Sequence, residues 1–199
     1  MTVYDLKPRF QRLLEPLADG WVRRGVRPNA VTWFGFLLAL LTGGLLAWFP
    51  RSPWVLLTVP VVLFVRMALN AVDGLMATRH GLATPLGKML NELADVASDA
   101  ALYLPFVRVT GSWLVAPVVV LAALTEVAGI LGPGVGASRR YDGPAGKSDR
   151  AVAFGLAAIV CAFWSPPRFV VDGYWWALVA LLLWTVTNRV RGAIREVAS

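Results

Sequence analysis

Acidic and amide side chains recur at one-turn spacing within two neighbouring apolar segments of the chain. The first segment carries Asn70 and Asp73, and the second carries Asn91, Asp95 and Asp99. On a helix, residues three or four apart lie on one face, so each segment would present a row of oxygen atoms. A carboxylate in hydrocarbon costs several kcal/mol unless it is paired, hydrated or bound to a metal. Two facing rows therefore predict a polar site that can hold a hard divalent cation against a phosphate.

The composition of the chain predicts an integral membrane protein. Of 199 residues, 57% are hydrophobic, and the mean hydropathy of +0.63 is above that of soluble globular domains. The formal net charge of +7 could indicate nucleic acid binding, but the basic residues cluster where loops at one membrane face would lie. We therefore expect no nucleic acid partner. The single Cys161 and the single His80 exclude a disulfide framework and a multi-histidine metal centre.

Hydropathy predicts six membrane-spanning helices after an amphipathic N-terminal segment. Residues 1–27 mix apolar and basic side chains at helical spacing, as in a juxtamembrane helix that lies on lipid headgroups. We expect no cleavable signal peptide, because this polar and amphipathic stretch precedes the first apolar run. The fold class is then an all-α polytopic membrane protein with one domain over residues 1–199. Its six-helix bundle fills residues 28–199, with spans at about 31–49, 54–77, 88–108, 113–135, 151–165 and 174–190.

The distribution of Lys and Arg predicts the orientation in the membrane. The N-terminal arm, the 78–88 loop, the 136–150 loop and the C-terminal tail hold nearly all of them. The opposite side would hold only Arg51, Arg108 and Arg168. The positive-inside rule therefore predicts a multi-pass protein of the cell (inner) membrane with both termini in the cytoplasm.

This topology also predicts where the polar rows meet. Asp73 would lie near the cytoplasmic end of the second span, and Asn91 and Asp95 near the cytoplasmic start of the third. The short 78–88 loop makes these two helices antiparallel neighbours, so their rows can face each other. The predicted site opens to the cytoplasm.

The two rows also resemble the sequence signature of a known family. The CDP-alcohol phosphotransferase (CDP-alcohol phosphatidyltransferase) family has the pattern D-x2-D-G-x2-A-R-x8-G-x3-D-x3-D across two adjacent membrane helices. At the same spacings, this chain has Asn70, Asp73, Gly74, Ala77, Thr78, Gly87, Asn91 and Asp95.

Three further features of the chain are similar to this family. Asn29 and Thr32 follow Pro28 in the family's Pro-Asn-x-x-Thr arrangement at the start of the first helix. Asp99 resembles an acid found one turn after the pattern in many members. Lys147, which follows a glycine, lies where members carry a Gly-Lys-x-Lys loop.

The resemblance implies a transferase of phospholipid biosynthesis that moves a phosphatidyl-type group from CDP-diacylglycerol, or a related CDP-lipid, to an alcohol and releases CMP. It implies Asp95 as the catalytic base and a divalent cofactor, Mg²⁺ or Mn²⁺, as one ion or two. The implied metal ligands are Asn70, Asp73, Asn91, Asp95 and Asp99. The implied nucleotide-binding residues are Asn29, Thr32, Asp73, Gly74, Ala77 and Gly87. Membrane lipids are further partners, and a homodimer is expected from the resemblance alone.

The chain departs from the family pattern at three positions, and these departures leave alternatives open. Asn70 and Asn91 replace the first and third aspartates, and Thr78 replaces the arginine. Neutral amide oxygens hold Mg²⁺ more weakly than carboxylates do. The protein could therefore be an active enzyme with a single or unusual metal, or a degenerate member that binds CDP-lipid without turnover. A shift of one turn, which pairs Asp95 with Asp99, would restore one charge but lose the match at Gly87.

The remaining candidates are basic residues of the 136–150 loop and one acid in the fourth span. Arg139, Arg140, Lys147 and Arg150 could hold a lipid headgroup or an acceptor phosphate, or they could be ordinary positive-inside charge. Glu126 could have a structural partner, such as Arg66 or a threonine hydroxyl, or a function. Intramembrane charges also suggest a transporter, but the chain lacks inverted repeats. The sequence does not select the acceptor alcohol.

Overall fold

The structure, a computed structural model, describes the backbone of residues 3–198 and the side chains of residues 10–198. The side chains of residues 1–9, in the predicted amphipathic segment, lie outside the described residues. Within residues 3–198 the chain is helical, without a β-strand. Its helices are α1 (Val3–Arg23), α2 (Pro28–Trp48), α3 (Pro53–Arg79), α4 (Pro85–Tyr103), α5 (Phe106–Thr110), α6 (Val115–Leu131), α7 (Lys147–Phe163) and α8 (Arg168–Val197), with a 3-10 turn at Gly132–Val135 after α6.

Prolines set the start of the helices that carry the polar rows. Pro28, Pro53 and Pro85 each occupy the first turn of α2, α3 and α4, where a missing backbone N–H is no loss. At the start of α4, the Thr84 hydroxyl oxygen accepts a hydrogen bond of 3.0 Å from the Gly87 backbone N–H. This bond fixes the first turn of α4, which comes just before the residues of the second polar row in the sequence.

Within residues 3–198, four helical segments are long and apolar enough to cross a membrane: Pro28–Trp48, Pro53–Arg79, Val115–Val135 and Arg168–Val197. The helices at the predicted spans 88–108 and 151–165, which are α4 and α7, are not among these four segments. The first of them is also interrupted, since α4 ends at Tyr103 and the separate helix α5 begins at Phe106. The hydropathy of α4 is low because ionisable side chains of the site lie on it.

The helices pack as a bundle around α2, α3 and α4. α2 contacts both α3 and α4, α3 contacts α7, and α6 contacts α8. The approach of α2 to α4 needs Gly43, because a Cβ atom there would overlap the Ala101 carbonyl oxygen. The interior contains an aromatic cluster in which the Tyr103 and Phe154 rings stack with centroids 3.8 Å apart.

The outward face of the bundle is strongly apolar. Trp48, Trp54, Phe163 and Phe169 are each more than three-quarters exposed, at 79%, 82%, 76% and 77%. Apolar surface on this scale is not compatible with water around a monomeric soluble protein. Together with the four apolar helices, it shows that the chain is a membrane protein.

Helix α1 packs on the C-terminal end of α3. Ala18 of α1 is fully buried against a small cluster that includes Leu69 and Met76. Two side-chain contacts extend this packing: an ion pair of Glu15 with Arg79 at 2.6 Å, and a hydrogen bond between Asp19 and the His80 ring at 2.9 Å. Helix α1 is therefore attached to the end of α3 where the first polar row lies.

Candidate active site

The structure brings the two polar rows together. Asn70 and Asp73 lie near the end of α3, and Asn91 and Asp95 lie near the start of α4. The short connection between the helices turns at Gly81, whose positive φ of 65° is a conformation that favours glycine. The antiparallel arrangement predicted for these helices places the rows face to face.

Each aspartate of the pair is bonded by an asparagine from the other helix. The Asn70 Nδ2 atom donates to Asp95 Oδ1 at 2.8 Å, and the Asn91 Nδ2 atom donates to Asp73 Oδ2 at 2.9 Å. Because both bonds use the amide nitrogens, the amide oxygens remain as potential ligands. The two substituted positions therefore connect α3 and α4 through reciprocal hydrogen bonds.

Two further side chains complete this cluster from other helices. The Thr32 hydroxyl of α2 donates to Asp73 Oδ2 at 3.0 Å, and Asp73 is only 3% exposed. The Lys147 ammonium, in the first turn of α7, lies 2.5 Å from Asp95 Oδ2. Both oxygens of Asp95 are thus engaged, one by an amide and one by a cation. We refer to Thr32, Asn70, Asp73, Asn91, Asp95 and Lys147 as the motif cluster.

The small residues of the pattern differ in their surroundings. Gly74 is exposed, and a Cβ atom there would meet no described atom within 4 Å, so a ligand could approach the helix backbone at this point. Gly87 is tightly packed instead, because a Cβ atom would lie 2.8 Å from Asn29 Oδ1. Ala77 is half-buried one turn beyond Gly74. The Thr78 hydroxyl bonds back to the Gly74 carbonyl at 2.8 Å.

Asp99 lies in a second, deeper network. Its Oδ1 accepts from Arg66 Nη1 at 3.2 Å, and its Oδ2 accepts from Arg150 Nη2 at 3.1 Å. Both oxygens contact arginines, so the structure places Asp99 in this network and outside the cluster formed by Asp73 and Asp95. The alternative register, with Asp95 and Asp99 as the paired acids, is likewise not the arrangement found, since Asp95 bonds to Asn70 and Lys147.

Glu126 belongs to the same deeper network. It contacts Arg150 at 2.9 Å and Arg189 at 3.7 Å, and both arginines are almost completely buried. The structural partner expected for Glu126 exists, but it is this pair of arginines and not Arg66 or a threonine hydroxyl. Sequence reasoning overlooked Arg189, although a guanidinium within a predicted apolar span is itself the signal of a buried ion pair.

All four basic residues predicted to bind a phosphate contact an acid within the chain. Arg150 is 1% exposed and bonded to Glu126, which places its guanidinium in the core of the protein. Arg139 makes a bidentate ion pair with Glu92 of α4.

Arg140 pairs with one acid of the 136–146 loop and with one acid of α8. Its guanidinium bonds Asp142 at 2.8 and 2.9 Å and also reaches Glu196 at 2.6 Å. These bonds hold the pKa of Asp142 below its usual value. Of the four predicted residues, Lys147 is the one that the structure places beside the motif aspartates.

The donor set of the motif cluster fits a hard divalent cation. It offers two carboxylates and two amide oxygens, which are the ligand types that Mg²⁺ and Mn²⁺ accept. Among the described residues, no group of three or more His, Cys, Asp or Glu side chains could hold a metal ion. This follows from the two asparagines, which leave only Asp73 and Asp95 as carboxylates in the cluster.

Curated relatives of the chain include membrane and lipid-synthesis proteins. The chain is 42% identical over 197 residues to the inner membrane protein YnbA of Escherichia coli, covering 98% of this chain and 97% of that protein. It is 36% identical over 94 residues to phosphatidylinositol phosphate synthase of Streptomyces avermitilis, covering 47% of this chain and 37% of that protein. The match to this enzyme therefore spans less than half of either chain.

Solved structures with the same fold exist. A crystal structure of Mycobacterium tuberculosis phosphatidylinositol phosphate synthase (PgsA1) with CDP-DAG bound has a TM-score of 0.73 and 20% identity, over 94% of both chains. A crystal structure of that protein in complex with manganese and citrate has a TM-score of 0.72 and 20% identity, over 90% of this chain and 88% of that chain. At this identity the likeness shows the fold.

The match to a family model covers most of the chain. The model for CDP-alcohol phosphatidyltransferase matches residues 26–190, which include α2 to α7 and α8 as far as Val190. This range contains every residue of the motif cluster. On this match, the chain belongs to the CDP-alcohol phosphatidyltransferase family.

Proposed function

We propose that this protein transfers a phosphatidyl-type group from CDP-diacylglycerol, or a related CDP-lipid, to an alcohol and releases CMP, as a step in phospholipid biosynthesis. The observation that carries this proposal is the meeting of Asp73 and Asp95 on facing helices, bridged by two asparagines. Membership of the family supports it. So does the related fold of a synthase whose crystal structures contain CDP-DAG or manganese.

In the proposed reaction, Asp95 removes the proton from the acceptor hydroxyl. The hydroxyl oxygen forms a bond to the phosphorus next to the lipid, and the bond from that phosphorus to the oxygen of CMP breaks. CMP leaves with the electron pair of that bond. Asp95 can accept the proton once a substrate phosphate draws the Lys147 ammonium away from it, since this ammonium otherwise lies 2.5 Å from the carboxylate.

The cofactor of the proposed site is Mg²⁺ or Mn²⁺. Asp73 and the amide oxygens of Asn70 and Asn91 are the groups that would hold it. Asp95, which the family resemblance also implies as a ligand, already contacts the Lys147 ammonium and is assigned here the role of base. When bound, the cation neutralises charge on the pyrophosphate and on the departing CMP. Thr32 orients Asp73 through the bond of 3.0 Å described above.

The nucleotide would lie along the exposed end of α3. The open backbone at Gly74 and the short side chain of Ala77 leave room for it. Asn29 and Gly87 pack against each other at the adjoining ends of α2 and α4, and with Asp73 they would form the floor of this region. The acceptor alcohol remains to be identified by experiment.

We also propose the placement of the chain in the membrane. Six helical segments, α2, α3, α4 with α5, α6, α7 and α8, would form one membrane domain, with α1 lying along the headgroups of the inner membrane. The bias of Lys and Arg toward the 78–88 and 136–150 loops supports a cytoplasmic location for both termini. A homodimer stays an expectation from family resemblance.

The test of the proposed reaction is CMP release by the purified full-length protein. CDP-diacylglycerol and Mg²⁺ or Mn²⁺ are supplied with a panel of phosphorylated and unphosphorylated alcohols. We expect CMP release that depends on one acceptor and falls at least about 100-fold in Asp95→Asn. Asp172→Asn, a carboxylate change near the start of α8 at the other end of the bundle, is the control and should leave turnover unchanged.

A second candidate function is binding of CDP-lipid without turnover. The reciprocal amide bonds favour it, because they satisfy both aspartates without a cation. The double variant Asn70→Asp/Asn91→Asp restores the aspartates of the family pattern. Turnover that occurs only in this variant, with CDP-diacylglycerol binding in both proteins, would establish the binder and contradict the transferase proposal.

A further inference from the structure

We propose that Lys147 is a built-in cation of the motif cluster that keeps Asp95 out of the metal's coordination, so that the site holds one divalent cation, on Asp73. The amide oxygens of Asn70 and Asn91 complete the protein ligands of that ion. The inference depends on the proposed function for its metal. It adds how many ions this chain takes and which side chain determines that number.

The first support is the occupancy of the two carboxylates. Asp95 accepts from Asn70 with one oxygen and contacts the Lys147 ammonium with the other, so a metal at Asp95 would lie beside a resident cation. The bonds to Asp73 from Thr32 and Asn91 both go to Oδ2. A cation therefore contacts Asp95, whereas the neutral groups of Thr32 and Asn91 bond Asp73.

The second support is the charge of the motif cluster. Two aspartates and one lysine leave a single net negative charge where asparagines occupy the other two polar positions. Repulsion between two dications a few ångströms apart amounts to many kcal/mol unless carboxylates separate and neutralise them. One dication beside Asp73, with the ammonium beside Asp95, is the arrangement that this charge supports.

The third support is the way in which Lys147 is held. It lies in the first turn of α7, where the helix dipole disfavours a cation, so local helix stability does not explain a lysine there. The preceding loop is fixed to α8 because the Ala145 backbone N–H donates to the Thr185 hydroxyl oxygen at 2.9 Å. One turn further along α7, Arg150 is bound in the core. These anchors hold the lysine at the aspartate.

The experiment is a Mn²⁺ titration of the purified full-length protein without lipid substrate, followed by calorimetry and by electron paramagnetic resonance of the bound ion. For the unaltered chain we expect one Mn²⁺ per protein and no Mn–Mn coupling. Lys147→Gln should bind Mn²⁺ roughly tenfold more tightly or take up a second ion, because a like charge has been removed. Lys147→Arg, which keeps the charge, should behave as the unaltered chain does.

A matched control is Lys88→Gln, which removes a lysine that contacts no acid among the described residues and lies on an exposed part of α4. Its Mn²⁺ affinity should change less than about twofold. The triple variant Asn70→Asp/Asn91→Asp/Lys147→Gln should bind two coupled ions. Two coupled ions in the unaltered chain, no bound ion, or weaker binding in Lys147→Gln would overturn the inference.

The readout separates this inference from the proposed reaction. One Mn²⁺ per chain, with no CMP release under any acceptor, would refute the transferase proposal and leave the role of Lys147 intact. CMP release by a protein that binds two coupled ions would support the transferase proposal and refute the role inferred for Lys147. Size-exclusion profiles and melting temperatures of each variant show that it is folded before its metal binding is compared.

Discussion

At the residue scale, Asn70 and Asn91 supply hydrogen-bond donors to the carboxylates of the motif cluster. An aspartate at either position could only accept hydrogen bonds, whereas the asparagine amide donates one to the facing carboxylate. Two Asp–Asn pairs can therefore coexist in a half-buried site without a cation. Four aspartates in the same place would require cations to offset their repulsion.

This difference predicts how Asn91→Asp behaves. The change places a second carboxylate against Asp73, where the amide nitrogen now donates at 2.9 Å. Without metal, the lost bond and the new repulsion should reduce stability by about 2 kcal/mol. Added Mn²⁺ should reverse this loss and raise the melting temperature more than it does in the unaltered chain. Equal melting temperatures for the two proteins in EDTA would show that the pairing has no energetic role.

The residues of the motif cluster differ in how far the sequence could predict them. Asp73 and Asp95 could be found from spacing alone, because helical periodicity fixes which side chains share a face. The contact of Lys147 with Asp95 depends on how the 136–146 loop folds back, and no local pattern specifies that. The contacts of Asp99 were not predictable, because its arginine partners, Arg66 and Arg150, are 33 and 51 residues away in the sequence.

At the scale of helices, buried ion pairs connect α3, α4, α6, α7 and α8 beneath the motif cluster. Arg150 of α7 bonds Asp99 of α4 and Glu126 of α6, and Arg189 of α8 approaches Glu126. These helices carry charges that hydropathy counts against a membrane span. In the folded bundle the charges face one another, so the penalty that hydropathy assigns does not apply in full.

Arg150→Met should destabilise the bundle strongly. The change removes the cation shared by Asp99 and Glu126, which leaves Asp99 with Arg66 and Glu126 with the more distant Arg189. The expected loss is about 3 kcal/mol. The measurement is the apparent melting temperature of the purified protein in detergent. Arg195→Gln, an exposed arginine change near the end of α8, should have no comparable effect. A melting temperature of Arg150→Met within about 1 °C of the unaltered value would contradict this role.

Adjacent glycines of α2 provide a second test of helix packing. Gly43→Ala would push a methyl group into the Ala101 carbonyl of α4, whereas Gly44→Ala meets no described atom within 4 Å. We expect Gly43→Ala to lower the melting temperature by several degrees through overpacking. Gly44→Ala should leave it unchanged or slightly raised, because alanine favours the helix. The reverse order of stabilities would show that α2 and α4 do not pack as described.

Helix positions were largely predictable from the sequence, and helix limits less so. Hydropathy located α2, α3, α6 and α8, which are the segments of high hydropathy among the described residues. The predicted span at 88–108 missed the break between Tyr103 and Phe106. That break lies at Pro105, which lacks the backbone N–H needed to continue the helical hydrogen bonds, a local signal that hydropathy averages away. Leu104 itself keeps helical dihedral angles.

At the scale of the whole molecule, the orientation predicted from charge determines which compartment supplies the acceptor. Cysteine labelling tests it in a Cys161→Ala background with an impermeant maleimide. Arg51→Cys, on an exposed turn between α2 and α3, should react in intact cells. Lys88→Cys, also exposed, should react only after the inner membrane is opened. The opposite labelling pattern would place the motif cluster on the outer side of that membrane.

The whole-molecule fold was predictable as a helical membrane bundle because composition and hydropathy report burial in lipid directly. The way the chain brings α2, α4 and α7 around the end of α3 was not, because it depends on contacts between distant residues such as Thr32 with Asp73. The motif cluster therefore draws on four helices, although the sequence pattern that predicts it spans only two.

The central claim, that the motif cluster performs phosphatidyl transfer, is tested most directly by measuring product lipid and CMP together. The purified protein is incubated with CDP-diacylglycerol, Mn²⁺ and each acceptor, and both products are quantified by mass spectrometry. We predict one new phospholipid in a one-to-one ratio with CMP, and loss of both in Asp95→Asn by at least about 100-fold. CMP and lipid formation that persist in Asp95→Asn, or no product with any acceptor, would contradict the account.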